Sequence, residues 1–385
     1  QSNEQAECPR CHHLLASGTR WSLHRCAMIA LSILILMPFS LNYPLLSLHL
    51  LGIKIDASIW DGIWKMAVGG YEYTAFMIFI CAVVMPCALV VIMLWLAKIF
   101  QIKPRSVLLF LGYIKAWVMF DVYLVALGVT IFKVREYATL EINIYLIPFI
   151  FTALLTTLLF IKLNLSALWQ EFYPECTSVY TKQAVELCPA CHYTFTQKSI
   201  YYDHQQKICC PRCQSPLNTS DKLKLQATWA TLIAGIIMLF PANLLPISGI
   251  YLTGALSEDT LISGVISFVK SGSYFVAFVV FFASIFVPIS KIFIMLYLLA
   301  CVHFKWQHSI KWQMRLLHLV HFVGRWSMLD LFVLALMMSL VTRGEIINFT
   351  VGPGAFYFGA AVFCTMLSTS QFDSKLIWKI YDREK

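Results

Sequence analysis

The chain has 385 residues, of which 59% are hydrophobic and only 13% are charged, and its formal net charge is +9. Soluble domains average about 25% charged residues, so this composition excludes an ordinary soluble protein and indicates an integral membrane protein. The basic excess is typical of a membrane protein with basic cytoplasmic loops and does not indicate a nucleic-acid partner.

Eight apolar segments are predicted to cross the membrane, because each approaches the roughly 20 apolar residues that a span requires. They are 26–46, 74–100, 107–132, 144–165, 227–247, 275–302, 316–342 and 355–370. The loops after the second and sixth spans carry Lys and Arg without acidic residues, whereas the opposite loops mix both signs. The positive-inside rule therefore predicts that both termini and the stretch between the fourth and fifth spans are cytoplasmic.

The loops on the opposite face carry their own patterns. Apolar and polar residues alternate in 47–55 and 140–144, which predicts short strands in a small sheet. Apolar residues recur at helical spacing in 59–67 and 261–269, which predicts two short amphipathic helices lying at the membrane interface. The alternative is that these segments are merely apolar outer loops.

The two halves of the chain repeat one unit. Segment 117–127 shares its Trp, Met, Asp, Ala and Leu with segment 326–336, and Cys8-Pro-Arg-Cys11 matches Cys210-Pro-Arg-Cys213. Both copies have the same number of spans in the same orientation, which predicts a parallel repeat about an axis along the membrane normal. We expect a partial N-terminal zinc ribbon (1–25), a first four-helix module (26–170), a central ribbon (171–222) and a second four-helix module (223–385).

The pairs Cys188-Pro-Ala-Cys191 and Cys210-Pro-Arg-Cys213 are the strongest local signal. Eighteen residues separate them, as in a zinc ribbon whose four thiolates close a tetrahedral site. The alternatives are a redox dithiol and an iron–sulfur site. A closed four-thiolate zinc site leaves no open position for a substrate, so its predicted role is structural or for docking.

Cys8 and Cys11 correspond to the second half of another ribbon. Its other two ligands either precede Gln1 or are His24 and Cys26, and the repeat favours the first of these.

Charged side chains in the bilayer core cost several kcal/mol, so those inside the spans are candidates for function. The second copy contains Ser284, Lys291, Arg325, Ser327, Asp330 and Thr365, and the first contains Lys115 and Asp121. The helical rise places Lys291 and Asp330 at depths that a lysine side chain bridges. The pair either relays protons or holds the helices together. Leu89 aligns with Lys291, so we expect any working site to lie in the second copy.

Prolines and asparagines recur near the outer ends of the first and fifth spans, at Pro38, Asn42, Pro44, Pro241, Asn243 and Pro246. They predict either broken helices around a pocket or simple span ends. No phosphate-binding Gly-rich loop, Gly-x-Ser-x-Gly or His-Glu-x-x-His motif occurs, so we expect neither a nucleotide ligand nor an enzyme.

Several motifs together resemble the paraquat-inducible protein A family over nearly the whole chain. They are the Cys-Pro-x-Cys pairs, Phe240-Pro-Ala-Asn-Leu-Leu-Pro-Ile247, Gly324-Arg-Trp-Ser-Met-Leu-Asp330, Gly352-Pro-Gly354 and Phe372-Asp-Ser-Lys-Leu-Ile-Trp378. The chain length and segment 52–56 favour one branch of that family.

The resemblance implies an all-α polytopic membrane protein of two tandem tetraspanin- or claudin-like modules, each with a small periplasmic sheet. It implies a place in a Gram-negative inner membrane beside an MCE-domain protein, whose stacked rings form a tunnel that moves phospholipids between membranes. The residues around Lys291, Ser327, Asp330 and Thr365 would then couple proton movement to lipid transfer. The incomplete first ribbon departs from the family pattern and leaves that metal site open.

We therefore expect a subunit that loads phospholipid into the tunnel or extracts it. One alternative is a passive anchor for the tunnel. Another is a stand-alone proton-coupled exporter of small amphiphiles. A third is a redox membrane protein, which requires that the cysteine pairs cycle between thiol and disulfide.

Overall fold

The structure is a computed structural model of a polytopic, predominantly helical membrane protein with small antiparallel sheets. It describes residues 6–7, 14–16, 21–50, 53–98, 105–135, 139–173, 185–188, 190–191, 193–196, 201–202, 208–217, 221–252, 255–270, 272–306, 309–341, 347–372 and 376–377.

The elements of the first half follow the predicted order. They are β1 (Ala6–Glu7), β2 (Leu14–Ala16), α1 (Leu23–Asn42), β3 (Leu46–Leu50), β4 (Ile53–Ala57), α2 (Ile59–Val68), α3 (Glu72–Phe79), the π-turn Ile80–Val84, α4 (Met85–Lys98), α5 (Arg105–Trp117), α6 (Phe120–Arg135), β5 (Thr139–Ile142), α7 (Leu146–Lys162) and α8 (Leu165–Phe172).

A cysteine ribbon and the second half follow. The ribbon contains β6 (Val185–Leu187), β7 (Thr194–Thr196), β8 (Tyr201–Tyr202) and β9 (Ile208–Cys209). The second half contains α9 (Asp221–Leu244), β10 (Ser248–Leu252), β11 (Ala255–Asp259), α10 (Leu261–Lys270), α11 (Tyr274–Phe281), the π-turn Phe282–Phe286, α12 (Val287–Phe304), α13 (Ile310–Val323), the 3₁₀ turn Gly324–Met328, α14 (Leu329–Val341), β12 (Ile347–Val351) and α15 (Gly354–Gln371).

Six helical stretches within the described residues are long and apolar enough to cross a membrane, and the bent pair α7–α8 is a seventh if counted as one span. The eighth predicted span is α15, an 18-residue helix outside this set. Its last turns carry buried Thr365, Ser368 and Thr369. They face α9 in part, since Ser368 donates to the Thr228 carbonyl at 3.2 Å.

The outer strands form two three-stranded antiparallel sheets, in the orders β4-β3-β5 and β11-β10-β12. Leu48 pairs with Ile55 and Leu140, and Ile250 pairs with Ser257 and Phe349. The strands predicted at 47–55 and 140–144 are therefore confirmed, and plain apolar loops are excluded there. We use "sheet side" for this end of the bundle and "ribbon side" for the end where the cysteine ribbon lies.

Pro38 and Pro241, near the sheet side, lie inside their helices. α1 continues through Pro38 to Asn42, and α9 continues through Pro241 to Leu244, so neither proline breaks its helix. The Gly352-Pro-Gly354 turn docks against the end of α9, where a Cβ on Gly354 would lie 2.7 Å from the Leu245 carbonyl oxygen. Glycine is needed there because two backbones approach each other directly.

The amphipathic helix α2 does not lie on an open interface as predicted, because one face packs on α14 of the other module. Lys65 donates to the Ser339 carbonyl at 2.7 Å, and Ser339 donates to the Ser58 carbonyl at 3.2 Å. The opposite face leaves Trp60 and Trp64 exposed. The corresponding helix α10 buries only Leu261 and Phe268.

The two modules share one apolar core, and α14 packs against both α2 and α6. Tyr123 of α6 and Phe332 of α14 lie with ring centroids 5.1 Å apart, and both are fully buried. The third span of each module therefore forms the centre of the molecule.

Candidate functional site

The four cysteines of the ribbon form one buried cluster. Their sulfur atoms all lie within 4.8 Å of one another. The Cys188–Cys213 and Cys191–Cys210 sulfur distances are 3.6 and 3.7 Å. A tetrahedral ion with Zn–S bonds of about 2.3 Å holds its ligands about 3.8 Å apart, so the cluster has the size of a four-thiolate metal site.

The charges of the cluster also suit a cation. Hydrogen bonds from the other three cysteines lower the pKa of the Cys188 thiol well below its ordinary value. The same contacts with Cys188 raise the pKa values of the Cys191 and Cys210 thiols. Without a metal ion, the four thiols compete to be the one that is deprotonated. A bound metal ion would remove this competition, because it stabilises all four ligands as thiolates.

The ribbon docks on the first module. Its cysteines share a buried cluster with Trp169, Phe172 and Tyr173, which lie on or just after α8. The buried Arg212 guanidinium lies 5.1 Å from the Trp169 ring and 5.4 Å from the Tyr193 ring. α8 is bent by 62° from α7, and Trp169 of α8 faces the ribbon.

The third and seventh spans are broken in the middle, which the sequence pattern did not predict. α5 ends at Trp117 and α6 begins at Phe120, while α13 and α14 are separated by a 3₁₀ turn. Asp121 and Asp330 each occupy the first turn of the second half-helix, α6 or α14. The helix N-terminus carries partial positive charge, which stabilises a carboxylate at this depth.

Lys291 lies on α12 and is only 2% exposed. Its Nζ makes no hydrogen bond to any described residue and lies against Gly324, where an added Cβ would be 3.4 Å away. Ser284 is seven residues earlier in the π-turn, on the same helix face, and its buried Oγ is also without a partner among the described residues. π-turns often mark functional sites, and this one interrupts the regular helix beside both side chains.

A cavity of about 690 Å³ reaches Lys291 from the ribbon side. It lies between the modules and is lined from the first by Lys115, Trp117 and Asp121 and from the second by Lys291 and His321. We call it the ribbon-side cavity.

A smaller cavity of about 60 Å³ reaches Asp330 from the sheet side. Ser248 and Asp259 of the second sheet line it together with Leu261 of α10. We call it the sheet-side cavity. Lys291 and Asp330 therefore line two different cavities.

Lys291 and Asp330 do not form the ion pair that the helical rise suggested, since no described side chain pairs with Lys291. Lys291 contacts Gly324 instead, and the 3₁₀ turn separates Gly324 from Asp330 by roughly 10 Å of axial rise. Ser327 lies within that turn, buried, and donates to the Gly324 carbonyl at 2.9 Å.

The remaining predicted residues are placed as follows. Thr365 is buried on α15 and donates to the Val362 carbonyl at 2.9 Å. Both α12 and α15 contact the 3₁₀ turn, so the second-copy residues surround one element. The Arg325 side chain lies outside the described part of the chain, and so do Cys8 and Cys11.

Sequence reasoning missed His321, Ser248 and Asp259 as cavity residues. His321 lies on α13, where its Nδ1 lies 2.9 Å from the Leu317 carbonyl oxygen. The alignment of the two repeats could not predict that these residues line a cavity, because each cavity is formed by elements that are distant in the chain.

Comparisons with known proteins identify relatives over the whole chain. A family profile described as Paraquat-inducible protein A matches residues 23–173 and 225–382. A Haemophilus influenzae protein named Probable intermembrane transport protein is 99% identical over 100% of this chain and 93% of its own length.

Two Escherichia coli proteins are more distant relatives. Lipophilic envelope-spanning tunnel protein A is 43% identical over 99% of this chain and 88% of that protein. Intermembrane transport protein PqiA is 26% identical over 98% of this chain and 91% of that protein. The tunnel protein thus represents the nearer of these two branches. No solved structure matches the chain.

Proposed function

Since the chain belongs to the paraquat-inducible protein A family, we propose that it is the inner-membrane subunit of an MCE-domain lipid-transport system. It loads phospholipid into, or extracts it from, a tunnel that crosses the periplasm. The names of its relatives support this proposal, because they describe intermembrane transport and an envelope-spanning tunnel.

The observation that carries the proposal is the placement of two buried charges between two cavities. Lys291 lines the ribbon-side cavity, Asp330 lines the sheet-side cavity, and Ser327 lies in the turn between them. Ionisable groups inside a membrane are expensive, and pumps and transporters use them as proton relays. We propose that proton exchange through Lys291, Ser327 and Asp330, assisted by Ser284, Thr365, Arg325 and Asp121, is coupled to lipid movement.

The charge distribution supports an orientation with the ribbon side in the cytoplasm. Lys98 and Arg105 lie at ribbon-side helix ends of the first module, and Lys305 and Lys311 occupy the same end of the second. Arg105 also lies 5.5 Å from the Tyr173 ring beside the ribbon. By the positive-inside rule, the two sheets then face the periplasm and present the tunnel-docking end.

We propose that Cys188, Cys191, Cys210 and Cys213 hold a structural Zn²⁺. Their spacing and sulfur distances support this choice over an iron–sulfur cluster or a cycling dithiol. The ion would crosslink the two ends of the ribbon and so keep Arg212 on Trp169. By the repeat, Cys8 and Cys11 would contribute to a second such site.

The test is neutralisation of the two charges in the full-length protein. Asp330→Asn and Lys291→Met are expected to abolish lipid transfer while the variants still co-purify with the MCE-domain protein. Glu72→Gln and Lys305→Met are matched controls, since both side chains are exposed near helix ends. The measurement is transfer of labelled phospholipid in proteoliposomes with and without the partner.

The outcomes separate the alternatives. Normal transfer by both neutralised variants would establish a passive anchor. Full export of small amphiphiles without any MCE-domain protein would establish the stand-alone exporter and contradict the proposal.

A further inference from the structure

The ribbon-side cavity has features of a ligand site that the transport proposal does not explain. Its volume of about 690 Å³ falls within the range of roughly 300–1,000 Å³ that small-molecule sites occupy. A path for protons alone needs only a chain of polar groups or single waters. The cavity therefore has room for a larger occupant as well.

The polar groups of the cavity favour an anion. Two ammonium groups, Lys115 and Lys291, face it from opposite modules, together with the imidazole of His321. Asp121 is the acidic residue that also lines it. The Lys115 Nζ is held by the Leu163 carbonyl at 3.2 Å, whereas Lys291 has no partner among the described residues. Two lysine amino groups and an imidazole against one carboxylate suit a ligand with a phosphate group.

The walls of the cavity favour a ligand that also carries apolar chains. Phe160 and Ile161 of α7 form one wall, and Val320 and Phe322 of α13 form the other. Ile161 is 72% exposed and Phe322 is 63% exposed, so the cavity opens sideways between the modules. In a membrane this opening faces acyl chains rather than water.

We propose that the ribbon-side cavity binds the phosphate of a phospholipid that enters sideways between α7 and α13 from the adjoining leaflet. Lys115 and Lys291 bind the phosphate, and the acyl chains remain against the aromatic rim. This inference rests on the proposed function in one respect: the bound lipid would be supplied to the transport cycle.

Two glycines provide a matched pair for the test. Gly112 lines the cavity and Gly128 lies on α6 outside its lining. No atom lies within 4 Å of a Cβ added at either position. Gly112→Leu therefore fills the cavity without a backbone clash, and Gly128→Leu is its control.

The measurement is native mass spectrometry of the purified full chain after addition of three probes. Phosphatidic acid has phosphate and chains, diacylglycerol has chains only, and inorganic phosphate has no chains. The wild type and Gly128→Leu are expected to retain phosphatidic acid. Lys115→Met is expected to retain it about tenfold less, as loss of a hydrogen bond to a charged group predicts. Gly112→Leu is expected to retain less as well, because the leucine side chain occupies the cavity.

Three outcomes would overturn the inference. They are equal retention by all four proteins, equal retention of diacylglycerol, and binding of inorganic phosphate as strong as that of phosphatidic acid. If lipid retention is unaffected by Gly112→Leu and Lys115→Met while Asp330→Asn abolishes transfer, the cavity proposal fails alone. If the retention pattern holds but Asp330→Asn transfers lipid normally, the proposed coupling fails alone.

Discussion

At the scale of single residues, the second module contains a lysine where the first has a core leucine. Leu89 is fully buried in an apolar cluster. Lys291, at the corresponding position, is equally buried but faces a cavity and has no partner among the described residues. An unpaired buried ammonium is costly, so its presence indicates a function that offsets the lost stability.

Lys291→Met is therefore expected to stabilise the protein while it abolishes transport. Insertion scales give a cost of about 2.5–3.5 kcal/mol for a charged residue at the bilayer centre. Methionine has a similar length and no charge. The predicted result is a Tm a few degrees higher than that of the wild type in detergent.

The control is Leu89→Met, which exchanges two apolar side chains at the matching position of the first module. It is expected to leave Tm nearly unchanged. A lower Tm for Lys291→Met would show that the ammonium is compensated in the folded state, contrary to the structure.

At the scale of elements, the third span is interrupted in both modules, between α5 and α6 and between α13 and α14. In each case an aspartate lies in the first turn of the half-helix that follows the interruption. The π-turns at Ile80–Val84 and Phe282–Phe286 recur as well, directly before Pro86 and Pro288. The first π-turn contains no polar side chain except the Cys81 thiol, whereas the second contains Ser284. The two copies of the repeat therefore have their helix interruptions at matching positions, although the side chains at those positions differ.

The helices α2 and α10 occupy matching positions in the two copies of the repeat, but they pack differently. In α2, a Cβ on Gly62 would lie 2.5 Å from the Ala335 carbonyl oxygen of α14. In α10, nothing lies within 4 Å of a Cβ at the matching Gly264. Only the first of these helices joins the two modules.

Gly62→Val is accordingly expected to lower stability, because the added side chain separates α2 from α14. Overpacking of this kind costs about 1–3 kcal/mol. The measurement is thermal unfolding of the purified protein in detergent. Gly264→Val is the matched control and is expected to change Tm little. Equal losses in both variants would mean that helix propensity, and not the contact with α14, decides the effect.

At the scale of the whole molecule, the described residues of the ribbon pack on the first module. Its cysteines share a core with α8 of the first module, and its Arg212 lies between Trp169 and Tyr193. The metal site is therefore expected to stabilise the ribbon side of the first module without entering either cavity.

Removal of the metal is expected to undock the ribbon while the second module remains folded. A chelator should expose Trp169 to water and shift its fluorescence to longer wavelength, because the thiolates lose their crosslink. The Trp169→Phe variant should lack this shift, which would assign the shift to Trp169. Cys188→Ser is expected to lower the zinc content by one ion per chain. An unchanged zinc content would contradict the assignment of this cluster.

Patterns that depend on local spacing were predictable. The spans, the strand at 47–55, the four-cysteine ribbon and the repeat each follow from hydropathy, alternation or fixed spacing within a short segment. The buried charges Lys291 and Asp330 were also visible, since a charge inside an apolar run is conspicuous in any sequence.

The sequence by itself determined the class of the protein and identified the residues whose burial requires a reason, while the division into two modules stays a prediction. Only the tertiary structure decided what those residues face. Lys291 contacts Gly324, and a 3₁₀ turn lies between Gly324 and Asp330. The ribbon-side cavity and the role of α2 arise where one module meets the other. Helical periodicity describes one element at a time, so it carries no information about which surfaces of the two modules are in contact.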